Sequence, residues 1–247
     1  MKGKKSIFFI GAAAILAVIL TLVLGLGVHR AVQTRRLFLS IFDGDRVQAQ
    51  LAIRNGANVN GHLHLFVLIP AEYSNPTPLT EACMVKNRAP IAYDLLDAGA
   101  DPNLADSVTG VTPLFSAIHS RQYALAEALI SRGADVSLGA KGNRGIALET
   151  LYDGCMDPSA DDSEGHRLLL QLYELGAPVV ENTGGKTVFH EAVIHKDVYA
   201  LQFFLAREKE LINQETDGGM TPLQMARSLA ETDPSPALDE IISLLQS

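Results

Sequence analysis

Short phrases recur along this chain at a nearly constant distance, and no other feature narrows its folding options as much. "TPLTEAC" begins at Thr77, "TPLFSAI" at Thr112, "TVFHEAV" at Thr187 and "TPLQMAR" at Thr221. A second landmark accompanies them: "NGANVN" from Asn55, "AGADPN" from Ala98, "RGADVS" from Arg132 and "LGAPVV" from Leu175. Thr77 and Thr112 lie 35 residues apart, Thr187 and Thr221 lie 34 apart, and Gly99 and Gly133 lie 34 apart. Two independent landmarks holding one period in one order describe an array of stacked units.

The chemistry of each unit is legible. Threonine is a good N-cap, and a proline just inside the helix loses nothing, because its missing N–H would have had no partner there. Leu79, Leu114 and Leu223, each followed three positions later by Ala82, Ala117 and Ala226, make a narrow apolar stripe on a first helix. The small alanines let a partner helix approach closely. Runs such as "IAYDLLDAG" and "YALAEALISRG" supply a second helix that Gly99 and Gly133 end in the left-handed conformation. No unit buries its own apolar face, so only the stack is stable.

This pattern resembles the ankyrin repeat, over about residues 37–245. The resemblance implies an all-α fold: an ankyrin-repeat solenoid of helix-turn-helix units with β-hairpin loops. Six units begin near residues 37, 77, 112, 146, 187 and 221, the first and last degraded as capping units should be. It further implies a protein-binding scaffold with no catalytic residues, metal or cofactor. Carried over by position, the first helices present Met84 and Val85, His119 and Ser120, and Ile194 and His195 to a protein partner. The hairpin tips present Tyr73 and Ser74, Val108, Thr109 and Val111, and Thr183 and Lys186.

The frame also disposes of a decoy. "TVFHEAVIHKD", residues 187–197, has the look of a zinc-protease helix. In HExxH the histidines lie four apart, about 40° around the helix, whereas His190 and His195 are five apart, about 140°. They point to different faces and do not share a metal. In the repeat frame Phe189 takes the leucine position and Ala192 the buried alanine. The resemblance implies that His190 bonds to backbone and ties units together, and that His195 is a surface residue.

Two steps are long: Gly56 to Gly99 and Gly133 to Gly176 each span 43 residues. In the first insert, residues 61–76, Leu63, Leu65, Val67 and Ile69 alternate with His62, His64, Phe66 and Leu68. That is strand periodicity with apolar side chains on both faces. It reads either as a partner-gripping finger carrying Phe66 and Leu68, or as a hairpin folded over its own neighbours. The second insert, residues 152–166, places Asp153, Asp157, Asp161 and Glu164 with spacing similar to an EF-hand loop. Cys155 and Pro158 stand where a ligand and the turn glycine belong, so a solvated acidic loop is the better reading. Cys83 replaces a buried alanine and lies too far from Cys155 for a disulfide, since stacked helices are about 8–10 Å apart.

The N-terminus is of another kind. Lys2, Lys4 and Lys5 precede residues 7–27, which carry no charge. As a helix those 21 residues would be about 31 Å long, matching a hydrocarbon core of about 30 Å. An apolar stretch of this length points to an uncleaved transmembrane anchor rather than a signal peptide. Residues 1–6 then form a basic flank, 28–36 a linker and 37–247 the repeat domain. The lysine and arginine balance of the flanks slightly favours an N-terminus inside, with the repeats outside the cytoplasm. The expected molecule is therefore a single-pass protein of a bacterial inner membrane, its repeats periplasmic and binding a protein partner near the bilayer. A net charge of −8 argues against nucleic acid. The alternatives are an immunity protein against an envelope-acting toxin and a metal-dependent hydrolase.

Overall fold

A computed structural model of the chain describes residues 2–63, 74–139, 163–177, 179 and 184–246. The side chains of residues 2–20, 22 and 163 lie outside that description. The helices are α1 (Lys2–Asp43), α2 (Arg46–Arg54), α3 (Pro78–Cys83), α4 (Ala89–Asp97), α5 (Pro113–His119) and α6 (Tyr123–Ser131). They continue as α7 (Ser163–Glu174), α8 (Val188–Ile194), α9 (Val198–Leu205), α10 (Pro222–Thr232) and α11 (Pro236–Leu245). First helices pack on first helices, α1 on α3 on α5 and α8 on α10, and second helices on second helices, α2 on α4, α6 on α7 and α9 on α11. The stack is all-α.

The local chemistry forms as the sequence predicts. Thr77 Oγ1 accepts the Thr80 N–H at 3.1 Å, Thr112 Oγ1 accepts from Phe115 at 3.1 Å and Thr221 Oγ1 from Gln224 at 3.3 Å. Pro78, Pro113 and Pro222 occupy the first helical turn. Leu79, Leu114, Ala82, Ala117 and Ala226 are buried in one continuous core. Leu223 is only half-buried. Gly99 and Gly133 take φ of 83° and 89°, and the N–H of the residue after each reaches back into the helix end, Ala100 to Leu95 and Ala134 to Leu129.

Polar side chains join neighbouring units along both edges of the stack. On the turn edge Asn60 donates to the Gly99 carbonyl and accepts the Asp101 N–H. Asn103 repeats this one unit on, toward Gly133 and Asp135. On the opposite edge Gln122 Nε2 donates to the Cys83 carbonyl at 2.6 Å and Arg88 donates to Phe42 at 2.9 Å. Between the second helices Arg46 grips Asp94 with two bonds of 2.7 and 2.9 Å, and Gln50 adds a third. The Arg46 bonds hold the Asp94 carboxyl below its usual range, outweighing the upward push of burial.

Several expectations need amendment. Among the described residues no strand forms; the turns are closed by single backbone bonds, such as Asp106 N–H to Val111 at 2.9 Å and Gly110 N–H to Asp106 at 2.8 Å. The strand expected over residues 62–69 lies outside the described residues from residue 64 on, as do Phe66, Leu68 and Tyr73. The insert's flanks turn inward: Leu63 is 4% exposed and donates to the Pro76 carbonyl, and the His62 ring bonds the Asn75 carbonyl at 3.0 Å. Of the acidic loop expected over residues 152–166, residues 152–162 with Cys155 lie outside the described residues, while 163–166, with Glu164, form the first turn of α7 rather than a loop.

At the N-terminus α1 runs unbroken for 42 residues, through the stretch expected as a linker. Gln33 and Thr34 are already buried there, and Thr34 Oγ1 accepts the Asn58 N–H at 2.7 Å. The packed array thus begins before residue 37. Among the described residues no helix is long and apolar enough to cross a membrane, and most of 7–27 lies outside the residues whose side chains are described.

Candidate protein-binding surface

The first helices and the turns that precede them carry the residues expected to meet a partner. On α3, Met84 and Val85 follow the helix end with 42% and 40% of their surface exposed. On α5, His119 is exposed and stacks over Phe115, with ring centroids 6.1 Å apart. On α8, Ile194 is 36% exposed. Met84, His119 and Ile194 share one position in their units, at the end of the first helix, with Val85 next to Met84. The Ser120 hydroxyl donates to the Met84 carbonyl at 2.8 Å, joining the third unit to the second. Ser120 is therefore a half-buried link between units.

His195 also departs from its expected surface place. It caps α8 and is half-buried, because its ring folds back one turn over Glu191, with Nε2 and Oε2 3.9 Å apart. Lys186 approaches the same carboxylate to 3.6 Å. Glu191 is only 5% exposed, so two residues expected to contact a partner are gathered around one buried acid. A bare carboxylate there would be costly, and the two basic groups offset that cost.

Behind them His190 is fully buried and performs the tie that the repeat resemblance implies. Its Nδ1 accepts the Thr187 N–H at 3.0 Å, which leaves Nε2 carrying the proton that it donates to the Met220 carbonyl at 2.9 Å. Burial pushes its pKa below the ordinary histidine value, and the neutral ring is the form both bonds require. A metal has no lone pair left to bind. Among the described residues no group of three His, Cys, Asp or Glu is placed to hold one.

The turn between the second and third units is organised by a residue the sequence reading missed. Asp106 is 2% exposed, and its carboxylate accepts from Ser74 Oγ at 2.6 Å, from the Asn75 and Val108 N–H groups at 2.8 Å and from Thr109 at 2.9 Å. Burial raises its pKa, and these four bonds outweigh burial and hold it below the usual carboxylate range. Ser74, Val108 and Thr109, expected at a hairpin tip, are thus gathered around Asp106, with Val111 half-buried beside them. The signal was "DSVTG": an aspartate two and three residues before free N–H groups, ahead of a glycine, marks an Asx turn. Thr183 lies outside the described residues.

No protein-family model matches the chain, and no curated protein matches it either. Among solved structures, the chain is similar to the crystal structure of EF0377, an ankyrin repeat protein. The two superpose with a TM-score of 0.64 at 18% identity, over 87% of this chain and 98% of that one. With the capped helix pairs, the glycine-ended second helices and the His190 tie already in place, the likeness has one meaning. This chain has the ankyrin-repeat fold.

Proposed function

We propose that the chain is a membrane-tethered module that binds another protein through the first-helix face of its array and is not an enzyme. The observation that carries the binding role is the exposed apolar pair at equivalent places, Met84 and Ile194, with Val85 beside the first, on helices tied to the next unit by the Ser120 and His190 bonds. Rigid side chains bind with less entropy lost than mobile ones, so a stiff array favours such contacts. The tether is residues 7–27. What supports it is the described end of that stretch, where the Val23, Leu24 and Leu26 side chains of α1 are 58–70% exposed. The location follows the lysine-rich leader: a bacterial inner membrane with the array in the periplasm.

A photo-crosslinking amino acid placed at Met84, His119 or Ile194 in intact cells tests the binding face. Capture of the same protein from these three positions, and none from Tyr199 on a second helix, is the expected pattern. Equal capture from Tyr199, or none anywhere, overturns the binding role. Protease added to intact and opened spheroplasts tests the location, with digestion of the array expected before the cytoplasm is exposed.

A further inference from the structure

The uncharged stretch ends at Gly27, but the helix that contains it continues to Asp43 and becomes the first helix of the array. That continuity makes α1 a ruler, with about 1.5 Å of rise per residue. The His29 ring bonds the Asn55 carbonyl at 3.0 Å, and Arg30 donates to Asn58 Oδ1 at 3.2 Å. Together with the Thr34 bond these hold the first inter-unit turn beside residues 29–34, about 3–10 Å beyond residue 27 along the helix. The Arg88 bond to the Phe42 carbonyl places the link between α3 and α4 about 22 Å beyond it. The two long edges of the array therefore stand at different heights on one helix.

Charge divides the chain in the same sense. The first 54 residues hold eight Lys and Arg against two Asp, a net +6, and the rest of the chain carries a net −14. Arg35 and Arg36 are exposed, with no hydrogen bond or ion pair among the described residues. At helical spacing Val28, Val32 and Arg35 lie opposite the buried Thr34, Leu37 and Ile41, and Val28 and Val32 are 65% and 45% exposed. Helical side chains lean toward the N-terminus, so both arginines reach back toward residue 30. A headgroup layer is about 5–8 Å thick on each side of the hydrocarbon, which is where those groups arrive.

We propose that Arg35 and Arg36, with Val28 and Val32 on the same side of α1, form a seat for an anionic phospholipid headgroup layer. This seat stands the array with its inter-unit turn edge toward the bilayer and its opposite edge away. The proposal rests on reading residues 7–27 as membrane-spanning. A second copy of the chain fits the face poorly, because symmetric pairing would bring two Arg35 groups together without a carboxylate between them.

The chain contains no tryptophan, so one introduced indole is a sole reporter. Full-length Asn55→Trp and Lys86→Trp chains are reconstituted in phosphatidylcholine vesicles with and without phosphatidylglycerol, using lipids brominated high on the acyl chain. Quenching at Asn55→Trp that increases with phosphatidylglycerol, no quenching at Lys86→Trp, and loss of the phosphatidylglycerol effect in R35Q/R36Q support the seat. Equal quenching at both positions, or quenching indifferent to phosphatidylglycerol in the unaltered arginines, overturns it while leaving the anchor intact. So does a disulfide-linked dimer of Val32→Cys. Release of the chain from vesicles by alkaline carbonate removes the membrane-spanning reading itself.

Discussion

His190 is the residue whose chemistry is most tightly bound to the fold, because one neutral ring closes a helix start and a neighbouring turn at once. Its pKa is depressed in the folded chain, so the unfolded chain takes up its proton first as pH falls. The stability this ring contributes is present above the ordinary value of 6.5 and is lost progressively below it. His190→Ala is expected to cost about 1–3 kcal/mol at pH 8 in urea unfolding, and to flatten the decline of stability between pH 7 and 5. An unchanged decline in the variant would assign it to other groups. Asp106 is charged where His190 is neutral, and it has the same kind of role. Its depressed carboxyl contributes stability above the ordinary value of 3.8, lost as pH falls through the folded value. Asp106→Ala leaves the Asn75, Val108 and Thr109 N–H groups without their acceptor, an expected loss of about 2–3 kcal/mol, read from the urea midpoint. Both residues stand in the printed sequence, but only His190 occupied a repeat-motif position that announced its job. Asp106 sits outside that motif, and its partners at residues 74 and 75 are some 30 residues away.

Elements form here for local reasons and end for local reasons, which is why their existence was readable from capping and spacing. The turns are different, because what limits them is a neighbouring unit. Gly133 and Gly185 illustrate this. Each has a positive φ, 89° and 68°. A Cβ on Gly133 would meet nothing within 4 Å, whereas on Gly185 it would come to 2.8 Å from the Asp217 backbone nitrogen of the next turn. Gly133→Ala is expected to cost about 1 kcal/mol from backbone strain alone. Gly185→Ala adds displacement of the turn that bonds Asp217 to Gly184, so its loss of thermal stability should be clearly larger. Equal losses would mean that the turn moves freely. The sequence marked Gly133 as a helix end, whereas the crowding at Gly185 comes from a neighbouring turn that local spacing does not show.

Taken as a stack, the chain owes its stability to junctions between units, so the junctions set where it opens. The asparagine link runs from Asn60 to the second unit and from Asn103 to the third. At the equivalent place in the third unit stands Ser137, whose hydroxyl, among the described residues, turns back onto Asp135. Native-state hydrogen exchange is expected to show a step in protection after the third unit; uniform protection across α5 to α8 would mean that the asparagines do not couple the stack. The repeat period, the capped helix starts, the apolar stripe and the all-α class were fully present in the amino-acid order, because each depends on residues a few positions apart. The inward fold of His195 over Glu191, the service of Ser120 and Ser74 as links, and the unbroken passage of α1 into the array were not. Those outcomes depend on which groups of separate units come within hydrogen-bonding distance, and that is settled by packing between units rather than by spacing within one.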